Sequence, residues 1–465
     1  MQGFESVAAV LDGLRAKLRV AAASVNGDSR HGRVIRVEED FPDLDPLDWL
    51  SWQGHAERTY WSDRDRSFAM AGVGVAHRCQ DTNLFTLGEA LDSIKRHVSS
   101  TYPNLRYYGG AQFSPTAEAA EGWEPFGAYS FTLPAVELTR KEERYHLACN
   151  VAIPPDGLDG KLDIAMATLE SLHFCAPDLR RELPDLRARD DSPEESEWHE
   201  LIERLLMAFA ETELKKTVLS RRADLHFGEP VDPIELLKNL AANTAHSYDY
   251  CFQHAPGRAL VGASPERLYK RINTYIQTEA LAGTRPHGET PGEDVALGEA
   301  LLNSDKDRRE HGLVLDKLRE VLDEQCRAVR GGDRVELLVL RQCQHLISRI
   351  EGMLWEPGGD AALLAALHPT PAVGGSPTEA ALKAIEELEP FSRGWFAGPV
   401  GWVGFDSTEF AVAIRSGLVD RDRVSVYAGA GIVAGSEAAA EWDEVENKLG
   451  SFLGLFEQPS WASRL

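Results

Sequence analysis

The chain has 465 residues, 43% hydrophobic, 26% charged and 8% aromatic, the balance of a globular protein with a large core. Its 74 acidic and 49 basic residues leave a net charge of −25, an acidic field that excludes nucleic acid and anionic membrane as general partners. The 6 cysteines are scattered without any CxxC, which leaves a zinc site or redox pair without support and fits a reducing cytoplasm.

The opening segment, MQGFESVAAVLDGLRAKL, lacks the basic start and apolar stretch of a secretory signal. No run approaches the ~18 apolar residues of a membrane span. A cytoplasmic protein is expected. Residues 1–180 mix helices with strand-like runs such as SFAMAGVGVAH, YYGGAQF and YHLACNVAI. RRELPDLRARDDSPEESEW follows, charged and broken by prolines, and predicts an exposed connector over 181–198. A helix is predicted from Pro193 to Lys216, with Trp198, Ile202, Leu205, Leu206 and Phe209 at helical spacing.

Strands follow at TVLSRRADLHF, RALVGASP, TYIQTEALAG, QHLISRIEGML, FAGPVGWVG, EFAVAIRSGLV and VSVYAGAG. Several are consecutive and joined by short turns, which favours antiparallel pairing. Regular crossover helices are missing, which argues against a doubly wound parallel sheet. The prediction is one α+β domain over 1–465, with a less diagnostic part over 1–180 and the catalytic part over 199–465.

Near the end, YAGAGIVAGSEAAAEWDEVENKLG predicts a strand, a glycine-rich turn and an acidic helix. Gly429, Gly431 and Gly435 resemble a loose dinucleotide fingerprint. No further strand follows to complete a βαβ unit, and no GKS or GKT is present, so nucleotide binding is rejected. Projected at ~100° per residue, Trp442, Val445, Leu449, Phe452 and Phe456 form a core face, with Glu441, Glu444 and Lys448 on its flank. Asp443 and Asn447 point elsewhere. On its own this is a solvated edge with a Glu–Lys pair worth a few tenths of a kcal/mol.

A second helix, NSDKDRREHGLVLDKLREVLDEQ, alters that balance. Ser304 is its predicted N-cap, and Asp307 stands where a capping box takes an acid. Asp307 and Glu310 also continue the apolar stripe of Val314, Leu318 and Val321. Acids on such a stripe are poorly solvated unless something neutralises them. Two helices thus each offer a carboxylate pair at i,i+3, hard oxygen ligands of the kind Mg²⁺ accepts. Four acids facing one another would repel without a cation.

Seven segments then occur in order: KTVLSR (216–221), LVGASPERL (260–268), LAGTRP (281–286), DKDRREH (305–311), LHPTPAVGGSP (367–377), AGAGIV (428–433) and EWDEVENKL (441–449). Over about residues 210–450 the chain resembles the chorismate-utilising enzymes, most closely the isochorismate synthases. YWSDRDRSFAMAGVGVA (60–76) and RYYGGAQF (106–113) are similar to the menaquinone-type members. The resemblance implies two large antiparallel sheets packed together with helices outside, Mg²⁺ as cofactor, and chorismate as substrate. Water would add at C2 and the C4 hydroxyl would leave.

By resemblance, Lys216 is the base, which needs a pKa lowered from ~10.4. The bland alternative is a cation at a helix C-terminus. Glu266 matches the general acid and must hold its proton near neutrality; its alternative is an ion partner for Arg267. Glu310 and Glu444 match direct Mg²⁺ ligands, with Asp307 and Glu441 acting through water. Arg415 and Lys448 would meet the substrate carboxylates, although a sheet-edge ion pair is the alternative for Arg415. Gly283, Thr284 and His345 fall on substrate-contact positions, and His345 could equally be a core histidine. Gly429 and Gly431 would let the backbone approach a carboxylate of chorismate and offer it N–H groups.

Relatives that use ammonia typically carry Gln at position 216, the aminodeoxychorismate type often has Lys at 282, and salicylate synthases typically have Thr at 372. Lys216, Ala282 and Ala372 therefore favour water as nucleophile and isochorismate as product. No glutaminase subunit is expected, and a monomer is the default. Siderophore-type and salicylate synthases are the near alternatives. A non-catalytic, Mg²⁺-dependent carboxylate-binding protein is the distant one, disfavoured because it needs neither Lys216 nor Glu266.

Overall fold

The computed structural model describes residues 2–24, 33–114, 121–154, 160–176, 182–288, 290–340 and 343–456. The first half of the chain forms α1 (Gln2–Ala23), β1 (Arg33–Phe41), α2 (Pro46–Ser51), β2 (Arg58–Ser62), β3 (Phe68–Asp81), α3 (Leu87–His97), β4 (Arg106–Ala111), β5 (Tyr129–Lys141), β6 (Arg144–Ile153) and α4 (Lys161–Glu170). Next come β7 (Leu186–Ser192), α5 (Glu195–Glu211), β8 (Lys216–Phe227), α6 (Pro233–Asn243), β9 (Tyr248–Ala255), β10 (Arg258–Ser264), β11 (Arg267–Ile272) and β12 (Tyr275–Pro286). Then follow α7 (Pro291–Asn303), α8 (Asp305–Gln325), β13 (Cys326–Gly331), β14 (Glu336–Val339), β15 (Cys343–Leu354), α9 (Asp360–Leu367), β16 (Gly375–Ser376) and α10 (Thr378–Leu388). The chain closes with β17 (Pro399–Gly404), β18 (Ser407–Val412), β19 (Ser416–Asp420), β20 (Arg423–Val433) and α11 (Ala438–Leu453).

Every strand pairing among the described residues is antiparallel, for instance β8 with β20, β12 with β15 and β3 with β5. The fold is α+β, as expected. The two expected sheets are joined into one continuous ladder of 20 strands. The junction is β5, which pairs β3 along one edge and divides its other edge between β4 and β6. On one side the ladder runs β2–β9–β10–β19–β20–β8, and on the other β4–β17–β18–β11–β12–β15.

Alternation along the strands explains the layering. Tyr248, Tyr250 and Phe252 of β9 face a core shared by both halves, beside Val400, Phe410 and Ile350. Cys251 of β9, with Ala259 and Val261 of β10, faces a second core roofed by α1, α2, α5, α6 and α11. On α11 the predicted stripe is realised, since Val445, Leu449 and Phe452 are fully buried. Each such side chain contributes roughly 1.5–3 kcal/mol. Asp443 and Asn447 are exposed, also as predicted. Among the described residues no helix is long and apolar enough to cross a membrane.

Three local expectations change. The connector contains β7, hydrogen-bonded to β8, and its Arg189 and Asp191 pair with Glu446 and Arg221; residue 181 lies outside the described residues. The helix from Pro193 stops at Glu211, because Lys216 is already committed to β8, opposite Val433 and Ser376. Ladder pairing overrides helical continuation there. The run EFAVAIRSGLV is two strands, broken at Arg415, whose φ of 49° leaves the extended region.

Candidate active site

The ladder halves meet at two places where the chain passes from one to the other. β10 leads into β11 through Pro265 and Glu266, while β18 leads into β19 through Ala413, Ile414 and Arg415. β10 pairs β19 and β11 pairs β18, so the crossings lie side by side. They are stitched together: the Ala263 N–H donates to Arg415 O at 3.1 Å and the Val412 N–H donates to Glu266 O at 3.1 Å. A cavity opens at this seam, walled also by β8, β12, β20, α8 and α11.

Glu266 is buried, and no side chain among the described residues hydrogen-bonds its carboxyl. Burial, reinforced by Glu279, pushes its pKa up to about 8 against the pull of Lys216, Lys448 and Arg64. That fits the expected acid. Lys216 is wholly buried at the start of β8, not at a helix end, and its Nζ donates to Glu310 Oε1 at 2.9 Å.

The glycine turn is a strand. Gly429 and Gly431 lie in β20, opposite Ser220 and Val218. The Val218 N–H and C=O are both used on the far side of β8, by Gly374 O and the Arg393 guanidinium. The Ser220 N–H likewise turns to Glu389. The backbone groups of Gly429 and Gly431 therefore point off the opposite edge of β20, and the ammonium of Lys448 donates to Gly429 O at 2.9 Å. At Gly431 a Cβ would lie 2.6 Å from Glu310 Oε1 and 3.0 Å from Lys216 Cε, so the missing side chain is the space the Lys216–Glu310 pair occupies. The actual turn follows at Gly435, with φ +87°.

Asp307 and Glu310 on α8 approach Glu441 and Glu444 on α11 from different halves of the ladder. Ser304 caps α8 as predicted, accepting from the Asp307 N–H, while the Asp307 carboxylate turns instead to Arg285 at 2.6 Å. The four acids do not confront one another unrelieved. Lys216 pairs with Glu310, Arg285 with Asp307, Lys306 with Glu441 at 2.8 Å and Lys448 with Glu444 at 2.7 Å. Burial raises the pKa of Glu444, but Lys448 outweighs it and holds the carboxyl below its usual value. Burial opposes the charge of Lys448, yet Glu444 raises its pKa overall. Among the described residues no three His, Cys, Asp or Glu side chains converge closely enough to hold a metal ion. The donors are hard oxygens suited in kind to Mg²⁺, but in this arrangement each faces a lysine or arginine.

Arg415 is different. It lines the cavity, and among the described residues no carboxylate pairs with it. Its Nη2 touches Cys343 Sγ at 3.0 Å and His345 Nε2 at 3.4 Å. His345 sits opposite Thr284, with Nδ1 at 3.1 Å from Thr284 Oγ1 and 3.2 Å from Gly283 O. A carbonyl can only accept, so the proton belongs on Nδ1 and Nε2 is an acceptor. Burial, then Arg415, pushes the His345 pKa down to about 3, so the ring is neutral. Gly283 supplies a bulge with φ +77° that a β-carbon would strain.

Of the predicted residues all but Lys216 and Glu441 line this cavity, and those two reach it through their ion pairs with Glu310 and Lys306. The structure adds Arg285, Lys306, Glu279, Arg64 and Cys343, which sequence reasoning missed. Arg285, Lys306 and Arg64 lay inside the quoted LAGTRP, DKDRREH and YWSDRDRSFAMAGVGVA runs, whereas Cys343 carried no local signal. Ala282 and Ala372 both line the cavity wall.

A family description, chorismate binding enzyme, matches residues 19–457, and the chain belongs to that family. The isochorismate synthase MenF of Bacillus subtilis (strain 168) is 31% identical over 437 residues, covering 90% of this chain and 92% of its own. MenF of Escherichia coli (strain K12) is also 31% identical, covering 91% and 94%. The solved structure of the menaquinone-specific isochorismate synthase MenF from Escherichia coli superposes with a TM-score of 0.84 at 28% identity, covering 97% of this chain and 100% of that one. Within the family the chain is an enzyme of the isochorismate synthase class.

Proposed function

We propose that this enzyme converts chorismate to isochorismate in a single active site at the seam, with Mg²⁺, in menaquinone synthesis. The observation that carries the reading is the cavity guanidinium of Arg415, unpaired with any carboxylate among the described residues, across the cavity from a buried acid whose pKa is pushed up to about 8. Arg415 receives one substrate carboxylate through a bidentate fork. The N–H groups along Gly429 and Gly431, with Lys448, serve the other. Thr284 and the neutral His345 offer hydrogen bonds to the ring hydroxyl region.

Lys216, as the neutral amine, takes at Nζ the proton from a water whose oxygen bonds to C2. The ring double bond shifts, the bond from C4 to oxygen breaks, and Glu266 delivers its proton so that the hydroxyl leaves as water. One water enters and one leaves. Glu310 and Glu444 would hold Mg²⁺ directly, with Asp307 and Glu441 acting through water. The ion would supply charge for the ring carboxylate of chorismate and offset the acid cluster.

The menaquinone assignment is supported by the near-complete coverage of both MenF relatives. The salicylate biosynthesis isochorismate synthase of Pseudomonas aeruginosa is 35% identical but covers 74% of this chain, and siderophore or salicylate supply is the second reading. Incubating the purified protein with chorismate and Mg²⁺ and separating the products tests the chemistry. Isochorismate without pyruvate is expected. Salicylate with pyruvate would favour the second reading, and no turnover would overturn both.

A further inference from the structure

The general acid is held by more than its burial. Each residue of its segment is tied down. Ser264 Oγ donates to Val412 O at 2.6 Å and accepts from the Glu266 N–H at 3.2 Å. Pro265 O accepts from Arg64 Nη1 at 2.9 Å. Glu266 O accepts from the Val412 N–H, and the Arg267 N–H reaches Glu279 Oε1 at 3.3 Å. Arg64 and Glu279 are also joined to each other as a fork, with Nη2 to Oε2 at 2.9 Å and Nη1 to Oε1.

This pair comes from distant sequence. Arg64 follows β2 in the N-terminal half, and Glu279 is a buried residue of β12. Arg64 also stands 5.3 Å over the Tyr248 ring, which fixes its plane. A pair serving only to join β12 to the β2 turn would have no need to grip the carbonyl before Glu266 and the amide after it.

We propose that Arg64 and Glu279 act together as positioning residues for Glu266, holding its backbone at the seam and supplying the charge field in which its carboxyl works. The inference rests on the reading of Glu266 as the general acid. The charged groups around that carboxyl are Glu279 from β12, Lys216 from β8, Lys448 from α11 and Arg64 from the β2 turn, with Glu310 of α8 and Arg415 across the cavity. Glu279 is the strongest neighbour that favours the protonated acid, and Arg64 opposes it. Losing Glu279 therefore makes the acid release its proton at lower pH, and losing Arg64 does the reverse.

The test is the pH profile of kcat/KM, whose alkaline limb reports the acid in the free enzyme. Glu279→Gln is expected to move that limb down by about one pH unit. Arg64→Gln is expected to move it up, and the double variant, lacking both charges, to return it toward wild type. Arg64→Lys keeps the charge and is expected to keep the limb while lowering kcat, which covers a failure of Arg64→Gln to fold. A limb that stays put in Glu279→Gln, or displacements of the same sign in the two single variants, would overturn the proposal. Glu266→Gln is the separate control. Wild-type turnover there sinks the general-acid reading itself, whereas an inactive Glu266→Gln beside an unmoved Glu279→Gln sinks only the positioning pair.

Discussion

Gly431→Ala is the smallest change that reaches the reacting centre. The glycine is extended within β20, so alanine meets no backbone penalty of the kind a positive φ would impose. Its new Cβ would stand 2.6 Å from Glu310 Oε1, 3.3 Å from Glu310 Cδ and 3.0 Å from Lys216 Cε. The first distance is about 1 Å inside ordinary contact. Glu310 must withdraw, and its 2.9 Å bond to Lys216 Nζ cannot survive the move unchanged. Overpacking of a tight interior costs about 1–3 kcal/mol. Here the strain falls on the end of a side chain that is 15% exposed and free to swing, so the low end applies.

The stability loss should be about 1 kcal/mol, a fall in Tm of roughly 1 °C for a chain of this length. Turnover should fall far more, by about 100-fold, because displacing a reacting group by about 1 Å costs that much. A thermal melt measures the first quantity, and product separation after incubation with chorismate the second. Gly435→Ala is the matched control, since at φ +87° with nothing within 4 Å it brings backbone strain but no contact with the site. Wild-type turnover in a folded Gly431→Ala protein would refute the placing of Lys216 and Glu310 at the chemistry.

Arg415→Gln removes the cavity guanidinium and should raise KM for chorismate by about 100-fold, the worth of a charge-assisted fork of about 2–3 kcal/mol. An unchanged KM would remove Arg415 from substrate binding. Glu266, raised to about 8, carries its proton below that pH and loses it above. kcat/KM should therefore hold to about pH 7 and fall about tenfold per unit beyond 8; a limb centred near 5 would contradict the buried acid. Dialysis against a chelator should abolish turnover, and added Mg²⁺ should restore it; full activity in the chelator would exclude the ion.

The legible part of the fold was the part written in local pattern. Trp198, Val445, Leu449 and Phe452 announced their helical faces, and the antiparallel strands followed from consecutive short runs. Gly429 and Gly431 fall both at the end of the predicted strand VSVYAGAG and in a predicted glycine-rich turn, because a glycine pair carries no sign that β8 continues to pair with it as far as Val433. Lys216 looked like the end of a helix because the competing commitment, to Val433 and Ser376, lies far along the chain. The acids of α8 and α11 were visible by spacing, but their partners were not. Lys306 reaches Glu441 across 135 residues, and Arg285 reaches Asp307 from a strand bulge. Arg64 was out of reach for the same reason, since its contacts to Pro265 and Glu279 exist only once the seam has formed.

The paired crossings at Glu266 and Arg415 have a geometric consequence. Two backbone hydrogen bonds, from the Ala263 N–H to Arg415 O and from the Val412 N–H to Glu266 O, join the two crossings, so any flexing of one half of the ladder against the other carries both together. With the roles proposed for Glu266 and Arg415, the seam is a fixed ruler between the proton donor and the carboxylate anchor. Groups on the nucleophile side, Lys216 at the start of β8 and Ala282 in β12, sit outside that measured interval. Their identity can change without altering its length.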